Sequence, residues 1–215
     1  MTNVSMILEV FMNVQFGEKL GFTIDDSWQK LNTMPDDPPG TQAYGTATEN
    51  SECFVLAFPL DIGQTMPFDN PQAVIDGIHS ALADDQALIE VKAFSTEKSM
   101  IIYSIIKTRG QPTGVQYTLT MDVACQNGAF HIQGFFNETG MTGMRDATVY
   151  ELKRRDGTVK EGFLGWVADP YDAGYHKTYL MNLSEREEYD TMFPAHPLSV
   201  ARAFVKKVAE NDNTD

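Results

Sequence analysis

The chain has 215 residues, of which 30 are acidic and 16 are basic, so its formal net charge is −14 and its isoelectric point is about 4.6. A surface this acidic repels phosphate groups, so nucleic acid and anionic membranes are disfavoured as partners. A basic protein partner would suit the charge, although most acidic proteins of bacterial type are acidic only for solubility. A chain of this length buries roughly 70 % of its unfolded surface, so it needs no disulfide or metal ion to fold.

Two cysteines, Cys53 and Cys125, lie in apolar, strand-like runs. Buried free thiols are the expected state of such residues, and they favour a reducing compartment. Residues 1–16 are rich in apolar side chains, but they include Glu9, have no basic start and lack a small-residue cleavage site. We therefore expect mature sequence and a cytoplasmic protein, with neither a leader nor a membrane span in this chain.

The first elements follow from short-range patterns. Residues 1–16 fit both a helical face and strand alternation, and we expect a short helix that runs into a strand near Asn13. Residues 20–24 predict a strand, after which Trp28 is expected to anchor the core. Three prolines, two aspartates and a glycine in residues 34–40 predict a loop.

Two further strands are expected at residues 41–48 and 53–60, joined by a turn. Asp69 or Asn70 can cap a helix that has Pro71 at the favoured first position and Val74, Ile78 and Leu82 on its apolar face. His79 lies beside this face, where a partly buried helical residue is a better interpretation than a functional histidine.

The clearest pattern is a β-hairpin. Residues 115–123 alternate strictly between apolar and polar side chains, Asn127-Gly128 is the dipeptide preferred in a two-residue turn, and residues 130–136 continue as the returning strand. Residues 88–94 predict another strand. Residues 100–106 have no polar face, which predicts an internal strand covered on both sides.

The remainder of the chain is predicted to be mainly helical. Thr142 can cap a helix over residues 143–154, with Met144, Ala147, Thr148, Val149 and Leu152 expected to face the sheet. Gly157 ends it, and a short strand is expected at residues 163–167. Ser184 to Glu187 matches a capping box for a short helix, and Pro197 starts a last helix with an apolar stripe that contains Leu198, Ala201, Phe204 or Val205, and Val208.

This order of elements resembles the Mog1/PsbP-like fold, in which an antiparallel sheet lies between helical layers. The resemblance rests on Phe22-x-Ile24-x-x-x-Trp28, on the paired strands from Gly114 to Phe136, and on the junction from Phe136 to Thr139 that leads into the next helix. It covers about residues 13–155. It implies an accessory protein, such as a small-GTPase partner or an extrinsic photosynthetic subunit, and it carries over no catalytic residues.

The sequence contains no catalytic or cofactor signature. The four histidines are not spaced as metal ligands, and Asp169 with Asp172 predicts a turn rather than a calcium loop. Cys125 and His131 form the only Cys/His pair worth considering, but apolar burial would suppress the thiolate. We therefore expect no metal, no cofactor and no catalytic residue.

One surface is a weak candidate for binding. If the hairpin pairs as predicted, five polar side chains share one of its faces: Thr118, Thr120, Asp122, His131 and Gln133. A solvated sheet face explains them as well, and better on the ordinary behaviour of antiparallel sheets. The alternative is a shallow groove for a ligand or peptide under the C-terminal part of the chain.

We therefore predict an α+β fold with an antiparallel β-sheet between helices. Residues 1–157 form the Mog1/PsbP-like domain, and residues 158–215 form an extension with two short helices packed on it. The predicted function is a non-enzymatic accessory or protein-binding domain. The alternative is a small-ligand-binding protein or enzyme with a pocket next to the hairpin of residues 115–136.

Overall fold

The computed structural model describes residues 11–18, 20–110 and 112–210. In these ranges the strands are β1 Phe11–Gln15, β2 Gly21–Asp25, β3 Gln29–Leu31, β4 Gln42–Ala47, β5 Ser51–Leu60, β6 Gln86–Ser95, β7 Ser99–Arg109, β8 Val115–Cys125 and β9 Gly128–Glu138. The α-helices are α1 Pro71–Ala81, α2 Met144–Arg155 and α3 Pro197–Glu210. Short 3-10 turns lie at Ile62–Gln64, Glu161–Phe163, Leu183–Glu185 and Glu187–Met192. The short helix expected before the strand near Asn13 falls in residues 1–10, which lie outside the described residues.

Seven strands form one antiparallel sheet in the order β3-β4-β5-β9-β8-β7-β6, and β1 and β2 form a separate two-stranded sheet. The predicted strands near Asn13 and at residues 20–24, 41–48, 53–60, 88–94 and 100–106 are all present, as is the hairpin. The predicted α+β architecture, an antiparallel sheet with helices on both faces, is confirmed.

The turn of the β8–β9 hairpin lies one residue earlier than predicted. Cys125 pairs with Gly128, so the two loop residues are Gln126 and Asn127 rather than Asn127 and Gly128. The register follows from the apolar pattern, since Val123 opposite Phe130 puts both buried side chains on one face. A shift of one residue would turn every side chain of one strand to the wrong face.

One face of the large sheet, here called the core face, packs against the β1–β2 sheet and α3. The predicted apolar stripe of α3 is confirmed, because Leu198, Ala201, Phe204, Val205 and Val208 are all buried in the main core cluster. Trp28 is buried as predicted, with its ring 5.1 Å from that of Phe204 and 6.5 Å from that of Phe136 between centroids.

The opposite face, here called the outer face, carries α1 at one end. Neighbouring residues along β7 divide between the faces: Ile105 packs in the main core, whereas Ile106 packs near Ile75 and Leu82 at α1. Both faces of β7 are therefore covered, as its apolar sequence predicts. The Asn70 side chain caps α1 by accepting a hydrogen bond from the backbone N–H of Ala73.

Helix α2 differs from the prediction in two ways. Its N-cap is Gly143, in the left-handed region, and no side chain caps it, so the predicted Thr142 cap is wrong. Its buried residues are Arg145 and Val149, while Met144 and Leu152 are exposed. The helix packs against the segment that follows it rather than presenting the predicted stripe to the sheet, since Val149 lies in a cluster with Val159, Trp166 and Tyr189.

The segment between α2 and α3 also departs from the prediction. Residues 163–167 form no strand, and this region contributes a single bridge between Val167 and Asn182. The capping box is present, but its N-cap is Asn182 and its N3 residue is Glu185, two residues earlier than predicted. Asn182 replaces the expected Ser184 because the Asn side chain also accepts a hydrogen bond from a backbone N–H.

The same segment covers the edge of the sheet at β6. The Tyr171 hydroxyl accepts from the backbone N–H of Val91 at 2.6 Å and donates to the Val91 carbonyl at 3.0 Å. Exposed strand edges can pair with strands of other chains, and this contact protects the edge of β6 from such pairing. Asp169 accepts from the N–H groups of Tyr171 and Asp172, which confirms the predicted turn, and its other oxygen bonds to partly buried His79 at 2.9 Å.

Candidate functional site

The five predicted hairpin residues lie together on the outer face of the sheet. Asp122 faces His131 across the strands, Thr120 faces Gln133, and Thr118 faces Phe135. Asp122 is buried and the other four are half-buried. Helix α3 packs on the core face, so it does not form the cover that the groove hypothesis requires.

Asp122 and His131 are bound to each other. The Asp122 carboxylate contacts Nδ1 of His131 at 2.6 Å with one oxygen and accepts from the backbone N–H of Met66 at 2.6 Å with the other. The His131 ring lies 4.9 Å from that of Phe58. This pair ties the 61–70 loop to the sheet. The five hairpin residues line none of five prominent cavities between the described side chains.

The Cys125–His131 pair does not form. Cys125 lies on the core face and its thiol contacts the Gly128 carbonyl at 3.4 Å, whereas His131 lies on the outer face. Both Cys53 and Cys125 are buried free thiols, as predicted. Burial raises the pKa of the Cys53 thiol to about 11, which keeps it protonated and unreactive at neutral pH.

A buried charge network, which sequence reasoning missed, joins the core face to the C-terminal segment. Its centre is Glu185, whose side chain is 1 % exposed. The carboxylate accepts from Nζ of Lys107 at 2.8 Å, from the Tyr117 hydroxyl at 3.0 Å and from the backbone N–H of Asn182 at 2.7 Å. The capping box thus supplies a charge that pairs with the sheet.

Arg145 extends this network from α2. Its guanidinium donates to the Ser184 carbonyl at 2.7 Å, to the Ser199 hydroxyl at 2.8 Å, to the Arg186 carbonyl at 3.1 Å and to the Asp190 carboxylate at 2.9 Å. Arg145 therefore clamps α2, the 182–193 segment and α3 together, which explains why it is buried on a helix whose other cations are on the surface.

Arg202 completes the network from α3. It donates to Glu90 of β6 at 3.2 Å, to Asp190 at 3.1 Å and to the Glu185 carbonyl at 2.8 Å, and the Tyr103 hydroxyl also donates to Glu90. The members balance in charge, with three cations and three anions: Lys107, Arg145, Arg202, Glu90, Glu185 and Asp190. Because each charged group is paired, the network holds the sheet, α2, α3 and the 182–193 segment together and leaves none of its charged groups free to react.

A cavity of about 370 Å³ opens beside this network and brings exposed apolar side chains together with enclosed polar ones. Its rim carries three solvent-exposed methionines, with exposed fractions of 69 % for Met141, 51 % for Met144 and 51 % for Met192. Phe193 contributes further apolar surface, and the polar lining includes Glu138 and His196, which are largely enclosed. We call it the methionine-rimmed cavity.

Two polar side chains of this cavity have environments that oppose their charge. Burial, with the nearby cations Arg145 and Arg202, lowers the pKa of His196 to about 3. Burial raises the pKa of Glu138, and the charges of Asp146 and Glu185 act in the same direction, while hydrogen bonds from the backbone of Gly143 and Val115 oppose them. Apolar cavities with a few such groups are the usual form of binding sites.

We expect the low pKa of His196 to make the fold sensitive to acid. The unfolded chain takes up this proton below about pH 6.5, whereas the folded chain does so only near pH 3, so the neutral histidine stabilises the fold above pH 6.5. This contribution is lost as pH falls toward 3, at up to about 1.4 kcal/mol per pH unit. Urea unfolding of His196→Gln between pH 7 and 4 should show a shallower decline than the parent.

Exposed His176 provides the matched control, since His176→Gln should leave the pH profile unchanged. A His196→Gln profile parallel to that of the parent protein would contradict a neutral, buried His196.

The sequence gives only a faint signal for the methionine-rimmed cavity. Met141 and Met144 are three residues apart around the start of α2, but the apolar pattern places Met144 against the sheet. Met192 and His196 arrive from a segment about fifty residues later, so their approach depends on the buried charge network. No local pattern in the sequence predicts that these residues lie beside the start of α2.

No family profile and no curated protein sequence matches the chain. Among solved structures, it is similar to the Ran-binding protein Mog1p of Saccharomyces cerevisiae, with 6 % identity and a TM-score of 0.42 over 66 % of this chain and 84 % of that one. It is also similar to the cyanobacterial PsbP of Synechocystis, with 13 % identity and a TM-score of 0.40 over 72 % of this chain and 93 % of that one. These similarities agree with the predicted Mog1/PsbP-like fold and do not bear on function.

Neither a metal-ligand cluster nor a membrane-spanning helix occurs among the described residues. Within residues 11–18, 20–110 and 112–210, no group of three or more His, Cys, Asp or Glu side chains is placed to hold a metal ion. In the same ranges, no helix is both long and apolar enough to cross a membrane.

Proposed function

We propose that this chain is a non-enzymatic accessory protein that binds another protein, and that the methionine-rimmed cavity receives a side chain of that partner. The observation that carries the proposal is the grouping of Met141, Met144 and Met192, all exposed, around one concave site. Methionine is flexible and polarizable, and surfaces rich in it adapt to the side chains of binding partners.

The charges of the chain support a basic partner. The net charge is −14, and the cavity lining contributes the carboxylates of Glu49 and Glu138. The one cation of the lining, Arg145, is already paired with Asp190. Complementary charge speeds encounter and discriminates among partners, so a basic surface around a side chain that buries apolar atoms fits this site. Two buried free thiols support the expected cytoplasmic location, which is part of this proposal.

We expect basic substitutions on the cavity rim to prevent partner binding. Met141→Lys and Met192→Lys each place a cation against the basic partner, at a position where apolar atoms must be buried, so each should weaken binding at least tenfold, or about 1.4 kcal/mol. The partner would be captured by affinity purification, identified by mass spectrometry, purified and titrated against each variant.

Met34→Lys is the matched control, because Met34 is 73 % exposed in the 34–40 loop and does not line the cavity. It should bind as the parent does. Thermal unfolding would verify that the three variants remain folded. A purified partner that binds both rim variants with parental affinity would refute this use of the cavity.

The alternative that the sequence predicts, a small-ligand or enzyme site next to the hairpin, stays a prediction. Thr118, Thr120 and Gln133 are half-buried on the outer face, and Asp122 and His131 satisfy each other. The hairpin face therefore offers less to a ligand than the methionine-rimmed cavity, where enclosed polar groups and exposed apolar groups meet.

A further inference from the structure

The Glu138 side chain is largely enclosed and has no cationic partner among the described residues. It is 6 % exposed, and its carboxylate approaches Nε2 of His196 at 3.9 Å. That distance is too long for a hydrogen bond. The imidazole is neutral at neutral pH, so it supplies no positive charge. Buried carboxylates are ordinarily paired with a cation, because an isolated buried charge is costly.

The other charges near Glu138 do not fill this role. The guanidinium of Arg145 is bound to Asp190, Ser199 and two backbone carbonyls of the 182–193 segment. Asp146 and Glu185 add negative charge near Glu138, and Glu49 lies on the cavity lining. The floor of the methionine-rimmed cavity therefore has a surplus of negative charge and an apolar rim.

The hydrogen bonds of Glu138 discriminate between an ammonium and a guanidinium. Its Oε1 already accepts the backbone N–H of Gly143 at 2.7 Å, and the carboxylate also accepts a backbone hydrogen bond from Val115. A guanidinium binds best when both carboxylate oxygens are free to accept its parallel donors. A lysine ammonium acts as a point charge and needs only the remaining acceptor capacity.

His196 offers a complementary donor. Its Nδ1 faces two N–H donors, the backbone of Leu198 at 3.3 Å and Nη1 of Arg145 at 3.5 Å, so Nδ1 is the acceptor. Nε2 therefore carries the proton, and no hydrogen-bond acceptor lies within range of it among the described residues. A peptide carbonyl is an acceptor that suits this position.

We propose that the methionine-rimmed cavity binds a lysine side chain of the partner protein. The ammonium pairs with Glu138, the four-carbon stem packs against Met141, Met144 and Met192, and a carbonyl of the same partner segment accepts from Nε2 of His196. This inference rests on the proposed function, and it specifies the partner residue that enters the site. Lysine suits the site because its stem is apolar and its charge lies at the tip.

The test compares two small probes with the same four-carbon side chain on the unmodified protein. N-acetyl-lysine methylamide carries an ammonium at the end of that chain, and N-acetyl-norleucine methylamide lacks it. With all 11 methionines labelled at the methyl carbon, NMR should show shifts at Met141, Met144 and Met192 and none at Met34. We expect the lysine probe to bind at least about tenfold more tightly than the norleucine probe.

The variant Glu138→Gln keeps the size of the side chain and removes the charge. It should reduce the affinity for the lysine probe to that for norleucine, while binding of the norleucine probe stays unchanged. Met34→Gln is the control for a remote polar substitution and should leave both affinities as they are in the parent. The comparison of the two probes on the parent protein stands even if the Glu138 variant does not fold.

The outcomes separate this inference from the proposed function. Equal affinity for the lysine and norleucine probes, tighter binding of the corresponding arginine probe, or no shift at the three rim methionines would each overturn the lysine inference. None of these results touches the rim-variant experiment. Protein binding by the cavity fails only if Met141→Lys and Met192→Lys keep the affinity of the parent for its purified partner.

Discussion

Replacing Arg145 with Met is expected to lower the free energy of unfolding by about 3–5 kcal/mol. The guanidinium is 1 % exposed and satisfies the carbonyls of Ser184 and Arg186, the Ser199 hydroxyl and the Asp190 carboxylate. A methionine fills the volume but donates no hydrogen bond, so the Ser184 and Arg186 carbonyls lose this donor and Asp190 loses one of its two cationic partners. Urea unfolding monitored by tryptophan fluorescence measures the loss.

The matched control is Arg154→Met on the same helix. Arg154 pairs with Glu151 on the exposed side of α2, and surface ion pairs of this kind contribute little to stability. We expect no measurable change in its unfolding midpoint. Equal effects of the Arg145 and Arg154 substitutions would show that Arg145 does not clamp the C-terminal segment.

Replacing Trp28 with Ala is expected to lower the free energy of unfolding by about 3–5 kcal/mol, because it leaves a cavity in the main core. The indole is buried and packs between Phe136 of β9 and Phe204 of α3. Its loss therefore weakens the contact between the sheet and the C-terminal helix. Differential scanning calorimetry should show a markedly lower unfolding temperature.

Phe163→Ala serves as the control for the loss of an aromatic ring. Phe163 is exposed and contacts the Tyr150 ring at 4.9 Å between centroids, so its removal opens no internal cavity. Its backbone has a positive φ of 63°, a conformation that alanine tolerates no better than phenylalanine does. The unfolding temperature of this variant should remain close to that of the parent.

The sheet and its last helix were predictable because their signals are periodic and local. The alternation of β8 assigns Tyr117, Leu119 and Met121 to one buried face, and the stripe from Leu198 to Val208 assigns the buried face of α3. Burial of an apolar side chain is favourable whatever lies opposite it, so the pattern in one strand or helix already indicates its orientation.

Helix α2 shows where such patterns fail. Its apolar residues predict a buried face with Met144 and Leu152, yet the helix buries Arg145 and exposes both of these. The burial of a cation depends on Ser184, Asp190 and Ser199, which lie about forty to fifty residues later in the chain. The sequence near Arg145 contains no trace of these partners, so local reasoning places its charge in solvent.

The hairpin face illustrates a similar limit. Alternation correctly placed Asp122 and His131 on one face. Only the structure shows that they bind each other, and that the backbone N–H of Met66 donates to the second oxygen of the Asp122 carboxylate. The methionine-rimmed cavity, in contrast, combines residues from β9, α2 and the segment before α3. The sequence contains each of these residues, but it does not predict that they lie close together.

The sequence by itself determined the antiparallel sheet, the hairpin faces and the buried stripe of α3, because each follows from the spacing of apolar residues along a single element. The tertiary structure decided which charges are buried, which methionines are exposed and where the candidate site lies. These features depend on pairing between distant groups, since a buried charge is tolerated only where its partners converge. The C-terminal segment supplies those partners, and its residues form the cavity together with the end of β9 and the start of α2.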